Sequence, residues 1–549
     1  MKMRWGCCWL GIALFCSSAA AKQSHSPDES RPARLLDGMG SLHHPISTSN
    51  QEAQRYFDQG LTLVYAFNHD EAARSFRRAA ELDPKAAMPW WGLALALGPN
   101  YNLDVDLERE KAAFDAIQKA RALASSGVEN ERAYAEALAK RYSGDAKPDL
   151  KKLAQDYAHA MGELARHYPD DPDAATIYAE SMMDLNPWGL WKLDGTPANN
   201  NTLTIISVLE DVLARYPDHV GANHYYIHAV EASAHPAWAL PSAQLLPALV
   251  PNGGHLVHMP SHIYARVGEF DAAMKSNEAA SAVDRAYIQA GAEHGVYPVM
   301  YYSHNLHFLT YAAMQQGNFA KAREAAEMLT ENIRARGHEM PEAMTAVFSA
   351  YHIEVLARFN HWDEVLALPQ PHSTAPMLIK PWHFARGAAF AAAGKLDDAA
   401  KEQKELEAGL QQIPDNLSGG FSPAKTILQL ADTILSARIA RARGDHKAAI
   451  ALWRKAVAME DQLAYDEPPD WYYPVRESLG GALLRDGQSA EAEKTFREDL
   501  ARNPRNGRSL YGLWMSLVAE KKTDDAEWAR RQFEDAWKNS DTKLHIEDL

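Results

Sequence analysis

Alanine-rich stretches with helical spacing recur along the chain and give the first expectation about its fold. Residues 131–142, 385–393 and 431–443 are examples. Runs that alternate β-branched and polar residues, as half-buried strands do, are few. The pattern therefore predicts an all-α protein, and 549 residues are enough to bury a large core.

A fixed spacing of small residues, an aromatic residue and proline divides these helices into units. Small residues at two facing positions let paired helices approach closely, and a proline ends the second helix because it has no amide donor. The unit over residues 53–84 shows this pattern, with Tyr56, Gly60, Ala72, Phe76, Ala79 and Pro84 at positions 4, 8, 20, 24, 27 and 32. A unit from Tyr473 repeats the pattern with Gly480, Ala492, Phe496 and Pro504. Turn glycines mark three further units, at Gly268, Gly317 and Gly444.

This spacing resembles the tetratricopeptide repeat, a helix–turn–helix unit of 34 residues. The resemblance covers most of the chain after about residue 50. It implies an all-α solenoid of helical hairpins in a right-handed superhelix, with insertions, and a concave groove that binds ligands. We expect repeats in three regions, residues 50–170, 171–345 and 346–549. The repeat class hosts many roles, so it says little about function.

Histidines recur at the repeat period in the central region. His224 and His228 return as His258 and His262, 34 residues later. Each pair is spaced i, i+4, so both rings project from one helix face. In the register of the repeat, these residues and their neighbours share one stripe of the first helices: His224, His228, Glu231, His255, His258, His262, His304 and His307, with Glu180 and Asp184.

In tetratricopeptide proteins this stripe lines the concave groove, so the resemblance implies that these side chains converge there. Imidazoles with carboxylates suit copper(II), zinc, non-haem iron or nickel. We therefore predict one or two transition-metal ions held by the histidines and Glu231, with copper favoured and zinc or iron as alternatives. Glu231 or Glu180 would be a metal ligand or a general base.

Other side chains near the stripe are candidates for binding a substrate. Tyr225, Tyr301 and Tyr302 adjoin the histidine helices, although tyrosines also commonly fill helix contacts. Trp188 lies in a segment, residues 184–203, that interrupts the repeats and could cover the groove. Arg476 could hold an acidic ligand or join two helices. Asp184 completes the predicted substrate-binding set.

The first 21 residues have the features of a secretory signal peptide. Lys2 and Arg4 precede an apolar core, and small residues end at Ala21, so we predict export to a periplasm or beyond. Cys16 raises a lipoprotein alternative, but Phe15 fits that cleavage site poorly. The three cysteines all lie in the leader, so the mature chain would have no thiolate ligands. Residues 22–49 are predicted to form a flexible lead-in.

Charge and motifs exclude several function classes. Without the leader, 54 basic residues stand against 72 acidic ones, a net charge of −18, which argues against nucleic acid as a partner. No stretch after the leader is long and apolar enough to cross a bilayer. Phosphate-loop, dinucleotide-binding, nucleophile-elbow and HExxH motifs are absent from the sequence.

Three functions remain open from the sequence. A metalloenzyme would act on a small organic or peptide substrate in the groove. A metal carrier or store would use the same ligands in a solvent-open groove. A peptide-binding scaffold, the common role of the repeat, would use the histidines for contacts with a protein partner. We favour the enzyme over the other two.

Overall fold

The computed structural model describes residues 33–291 and 293–549, and the predicted leader lies outside them. These residues form two compact units, the first ending at Ile263 and the second covering Tyr264–Leu549. The boundary falls inside the central region that the sequence predicted. The described residues are α-helical and contain no strand. No described helix is both long enough and apolar enough to cross a bilayer.

The first unit is a series of antiparallel helices. They are α1 (Gln51–Tyr65), α2 (His69–Leu82), α3 (Met88–Leu97), α4 (Leu107–Ala124), α5 (Glu129–Leu138), α6 (Leu150–His167), α7 (Pro172–Met183), α8 (Asn200–Arg215), α9 (Val220–Val230), α10 (Leu240–Leu249) and α11 (Gly254–His258); α12 (Pro260–Arg266) contains the unit boundary. Short 3₁₀ turns cover Ala139–Arg141 and Pro236–Ala239.

The second unit continues the hairpin arrangement. Its helices are α13 (Phe270–Gly291), α14 (Tyr302–Gln316), α15 (Phe319–Arg336), α16 (Glu342–Arg358), α17 (Trp362–Ala367), α18 (Pro376–Ala392), α19 (Leu396–Glu407), α20 (Ala424–Ala442), α21 (His446–Glu460), α22 (Val475–Arg485), α23 (Ser489–Arg502), α24 (Gly507–Ala519) and α25 (Thr523–Ala536). A π turn covers Tyr297–Tyr301, and 3₁₀ turns cover Gly337–Glu339, Leu410–Gln412 and Ile546–Asp548.

Tetratricopeptide packing is visible where the repeat glycines meet the repeat phenylalanines. A Cβ added to Gly60 on α1 would lie 2.7 Å from the ring of Phe76 on α2. One added to Gly480 on α22 would lie 2.5 Å from the ring of Phe496 on α23. Real Cβ atoms do not approach so closely, so only glycine lets these helices pack at this distance. The fold is therefore all-α and of the tetratricopeptide type, as the sequence predicted.

Caps and turns mark the hairpin ends as the spacing indicates. The Asn50 side chain caps α1 and the Asp171 side chain caps α7 by accepting from free amides of the first turn. The predicted turn glycines Gly268, Gly317 and Gly444 have φ values of 79°, 74° and 77°. This left-handed conformation ends a helix and is favourable for glycine.

The inner side of the first unit is filled rather than open. First helices of successive hairpins pack side by side, and α1 also contacts α9. Phe57 and Leu61, which occupy the predicted groove stripe on α1, are fully buried, and Phe57 lies against the ring of Trp91. On α1 the predicted groove face is therefore packed against other parts of the unit instead of being open to solvent.

The lead-in also differs from expectation where it is described. Residues 33–49 lie against the helices instead of extending freely. The Leu36 amide donates to Gln59 at 2.7 Å, and the His44 imidazole bonds to Asp173 at 2.8 Å. Met39, His44 and Ile46 are buried. Packing and hydrogen bonds hold this stretch in place despite its polar composition, whereas residues 22–32 lie outside the described part of the chain.

Candidate metal centre

Two neighbouring hairpins of the first unit bring six predicted residues together. The α9 helix carries His224 and His228 and ends at Glu231, while α11 and α12 carry the rest: His255, His258 and His262. Pro260 separates α11 from α12 because proline cannot supply the next helical amide. All six side chains are at most 2% exposed. The predicted convergence of His224, His228, His255, His258, His262 and Glu231 is therefore present within this unit.

The hydrogen bonds of two rings fix which nitrogen carries the proton. His224 Nδ1 lies 2.6 Å from the main-chain oxygen of Tyr65, and His228 Nδ1 lies 2.9 Å from Glu231 Oε1. A carbonyl and a carboxylate only accept, so both Nδ1 atoms must donate. In the neutral ring the lone pair is then on Nε2. His224 and His228 therefore present Nε2 as a free ligand atom.

Ring nitrogens of three histidines lie close together. His224 Nε2 and His255 Nε2 are 3.2 Å apart, and His224, His228 and His255 each place one ring nitrogen within 4.8 Å of the other two. Two nitrogens bound to one tetrahedral ion at about 2.0–2.1 Å are about 3.3 Å apart. His228 Nε2 is buried and has no hydrogen-bond partner among the described residues. The three rings therefore have the spacing of a metal-ligand set.

Glu231 lies between the two histidine pairs. Its Oε1 accepts from His228 Nδ1 at 2.9 Å, and its Oε2 lies 2.8 Å from His262 Nδ1. Burial alone would raise the pKa of Glu231, but the charges and hydrogen bonds of His228 and His262 outweigh it and hold the pKa at about 2. His262 Nε2 in turn lies 2.8 Å from His258 Nε2. In this arrangement Glu231 contacts ligand rings through their Nδ1 atoms, so it orients them.

Burial keeps the three rings neutral. It lowers the pKa of His228 and lowers the pKa of His224 and His255 well below the usual histidine range. Repulsion between the imidazoles acts in the same direction for His224 and His255. A neutral imidazole is the form that binds a metal ion. The site is thus in its ligand form at neutral pH.

Aromatic rings surround the cluster. Phe67 lies 4.6 Å from His224 and 5.3 Å from His255, measured between ring centroids, and it has a φ of 55° that is rare for a bulky residue. Tyr101 and Trp188 lie 5.2 and 5.7 Å from His228. Tyr225 is buried 5.4 Å from His224. Trp188 is half-buried. Through its contact with His228, the insertion between α7 and α8 reaches a candidate ligand.

The predicted acids on α7 have other contacts. Asp184 forms an ion pair with Arg141 at 2.5 Å and a carboxyl hydrogen bond with Glu180. Burial raises the pKa of Glu180 well above its usual range, with the charge of Asp184 adding to the effect. In the structure Glu180 therefore contacts Asp184, which in turn pairs with Arg141.

The remaining predicted residues belong to the second unit. His307 is buried against Tyr351, and burial lowers its pKa to about 3; the His304 ring lies 6.3 Å from that of His307. Tyr301 and Tyr302 are buried, the latter in the apolar core. Arg476 makes two 2.7 Å bonds to Asp461, which joins α22 to the end of α21. For Arg476 the structure shows the helix-joining role rather than a free ligand contact.

Sequence reasoning missed several residues that form this site. The Tyr65 carbonyl and the Phe67 and Tyr101 side chains carry no signal in the sequence. Tyr65 is 159 positions from His224. Nothing in the repeat spacing relates residues so far apart, so the stacking of hairpins had to be known first.

No protein-family model matches the chain, and no curated protein matches its sequence. Among solved structures, Ypp1 covers 90% of this chain and 82% of its own, with a TM-score of 0.42 and 8% identity. A human IFIT1 dimer with m7Gppp-AAAA covers 90% and 91%, with a TM-score of 0.32 and 15% identity. Yeast Tom70 covers 88% and 92%, with a TM-score of 0.29 and 13% identity. Similarity this low says nothing about the function of this chain.

Proposed function

We propose that this protein binds a transition-metal ion through Nε2 of His224, His228 and His255 and uses it on a small organic or peptide substrate. The observation that carries the proposal is that ring nitrogens of His224, His228 and His255 lie within 4.8 Å of one another, while the Nδ1 bonds of His224 and His228 leave their lone pairs on Nε2. Three protein ligands leave a coordination position open for water or substrate, as in catalytic metal sites.

The donor set limits which metal fits. The ligands are imidazole nitrogens, and the cysteines are confined to the predicted leader. Copper binds such nitrogen sites most strongly among the divalent first-row metals, and zinc and iron also accept them. Copper is therefore our first choice, followed by zinc or iron. Export through the leader, which we also propose, would expose the chain to metals outside the cytosolic buffers.

Burial separates the proposed role from the alternatives. A store that exchanges metal needs solvent-accessible ligands, whereas these side chains are at most 2% exposed. A peptide-binding scaffold needs an open groove, and the inner side of the first unit is filled by side chains such as Phe57 and Leu61. Three protein ligands also leave a position open for water or substrate, which a catalytic site needs.

The direct test is elemental analysis of the mature protein purified without chelators or a histidine tag. We expect about one equivalent of copper, zinc or iron, and a second equivalent would place another ion near His258 and His262. The paired variant His228→Ala with His262→Ala should lose the metal and the rise in melting temperature on metal addition. The matched control is His159→Ala, an exposed histidine on α6.

Two results would overturn the proposal. One is a paired variant that keeps full metal content and the metal-dependent rise in melting temperature. The other is wild-type protein that is metal-free and also refuses titrated copper and zinc. The second result would leave the peptide-binding scaffold, and the next experiment would be a search for peptide ligands.

A further inference from the structure

A second polar network lies behind the candidate metal site and is centred on Asp173, in the first turn of α7. This carboxylate is buried and accepts three hydrogen bonds. Oδ1 accepts from the Tyr65 hydroxyl at 2.5 Å and from His219 Nε2 at 3.1 Å. Oδ2 accepts from His44 Nδ1 at 2.8 Å. Each of the three donors comes from a different part of the first unit.

Tyr65 connects this carboxylate to a candidate metal ligand. It is the last residue of α1, so its carbonyl has no partner within the helix. That carbonyl accepts the Nδ1 proton of His224 at 2.6 Å. The hydroxyl of the same residue is fixed by Asp173. Asp173 therefore holds the residue whose main-chain oxygen sets the tautomer and the orientation of the His224 ring.

His219 connects the same carboxylate to the helix that carries two ligands. It is the N-cap of α9, where its Nδ1 accepts from the Ala222 amide at 3.0 Å. Nδ1 is then the acceptor, so Nε2 carries the proton that it donates to Asp173. The start of α9 is fixed in this way, five residues before His224. Both sides of the contact between His224 and Tyr65 thus depend on one side chain.

His44 adds the third donor and ties residues 33–49 into the network. Burial disfavours a charge on either partner, but it is outweighed at His44 by the bond and attraction to Asp173, and at Asp173 by those of His219 and His44. As a result the pKa of His44 is raised, and the pKa of Asp173 lies well below its usual range. An ionised Asp173 accepts from all three donors without competing for a proton.

We propose that Asp173 is a positioning residue of the metal site, which it controls through Tyr65 and His219 without touching the ion. This inference rests on the metal site proposed above. Partners of ligand histidines are known to tune metal affinity, and their loss commonly weakens binding by about 10–100-fold. Here Asp173 would affect metal affinity indirectly, through the Tyr65 carbonyl that bonds His224 and through the His219 cap of α9.

The test compares Tyr65→Phe and Asp173→Asn with Tyr134→Phe in the full mature chain. Tyr134 is a matched control because it is also a buried tyrosine whose hydroxyl donates to an aspartate at the start of α7, Asp171, at 2.8 Å. It does not bond to the carboxylate that holds Tyr65. The probe is copper(II), measured by competition with a chelator for affinity and by electron paramagnetic resonance for ligand geometry.

We expect Tyr65→Phe and Asp173→Asn to weaken copper(II) binding by about 10-fold or more and to change the copper hyperfine splitting. Tyr134→Phe should lower the melting temperature of the metal-free protein similarly but leave affinity and spectrum unchanged. If Asp173→Asn does not fold, Tyr65→Phe decides the matter alone.

The inference is wrong if Tyr65→Phe binds copper(II) with the affinity and spectrum of the wild type. It is equally wrong if Tyr134→Phe produces the same spectral change, since the effect would then be general loosening. Failure of the underlying metal site would look different, because wild-type protein itself would then bind no copper(II).

Discussion

In the histidine cluster, the partner of Nδ1 decides which ring nitrogen carries the proton and how the ring is oriented. A carbonyl fixes His224 and a carboxylate fixes His228, so both rings turn Nε2 inward. Burial then keeps the rings neutral. A histidine of the same helical spacing on an exposed surface would have neither constraint. The partners, as much as the histidines, make the site.

Glu231→Gln tests this dependence on ring partners. A glutamine has one accepting oxygen, while the two carboxylate oxygens of Glu231 face two Nδ1 atoms, those of His228 and His262. One ring must lose its partner or change tautomer, which removes a lone pair from Nε2. We expect metal affinity to fall by about 10–100-fold, measured by chelator competition.

Glu131→Gln is the control for this experiment, because Glu131 is also buried in the first unit and accepts from the Ser47 amide outside the cluster. It should leave metal affinity unchanged. Unaltered affinity in Glu231→Gln would show that the carboxylate does not orient the ligands.

From the buried Asp284 on α13 we predict that the stability of the protein depends on pH. Burial raises its pKa from 3.8 to about 7, although Tyr297 and Asn305 donate to it. The folded state favours the protonated form, so the stabilising contribution is full below about pH 4 and is lost as pH rises to about 7. Asp284→Asn has no such loss.

The free energy of unfolding of Asp284→Asn, relative to wild type, should therefore increase between pH 4 and pH 7.5. The expected change is of the order of a few kcal/mol, measured by denaturant titration at each pH. Asp397→Asn, at an exposed position, serves as the control. A difference that is flat or falls with pH would contradict the expectation.

At the scale of helices, close packing depends on glycine facing phenylalanine within each repeat. Gly60 with Phe76 and Gly480 with Phe496 show the same contact at two places in the chain. Pro260 interrupts the helix between α11 and α12, because proline has no amide hydrogen to donate. These features are local, so the repeat pattern predicted most hairpins and their turns correctly.

Gly480→Ala should destabilise the second unit even though alanine is the better helix former. Its Cβ would lie 2.5 Å from the Phe496 ring, so the ring or the helix must move. Overpacking of this kind costs about 1–3 kcal/mol, more than the ~1 kcal/mol that helix propensity returns. Thermal and denaturant unfolding measure the loss.

The double variant Gly480→Ala with Phe496→Leu tests whether the clash between the added Cβ and the ring causes the loss of stability. If the clash is responsible, the paired change should cost less than the sum of the two single changes. Strict additivity would mean that the glycine acts through something other than its contact with the ring.

For the whole molecule, the division into two units decides where a bound metal stabilises the chain. The proposed ligands His224, His228 and His255 all belong to the first unit, together with α1, which supplies the Tyr65 carbonyl. A ligand that binds the folded state alone stabilises it by about 2.7 kcal/mol at 100 times its dissociation constant.

Hydrogen exchange with and without metal tests this localisation. At that metal concentration we expect amides in α1, α9 and α11 to exchange roughly 100-fold more slowly, as measured by mass spectrometry. The variant His228→Ala should show no metal-dependent slowing in these helices. A metal-bound wild type without slowing in α1 and α9 would place the ion elsewhere.

The candidate site was only partly predictable from the sequence. The 34-residue recurrence placed His224, His228, His258 and His262 on one stripe, and the structure brings these four together in the first unit. The same reasoning named Glu180 as a metal ligand or general base, and in the structure its carboxyl is hydrogen-bonded to Asp184. Helix periodicity gives the direction of a side chain and does not give its neighbours.

The sequence by itself therefore determined the helical hairpins, their turns and the common face of the histidines, because these follow from spacing within about one repeat. Only the tertiary structure decided that α1 returns to α9 and fills the expected groove. It also decided that the Tyr65 carbonyl meets His224 from 159 positions away and that Asp173 bonds the Tyr65 hydroxyl from 108 positions away. Contacts at such separations depend on how every intervening hairpin stacks, so no local pattern encodes them.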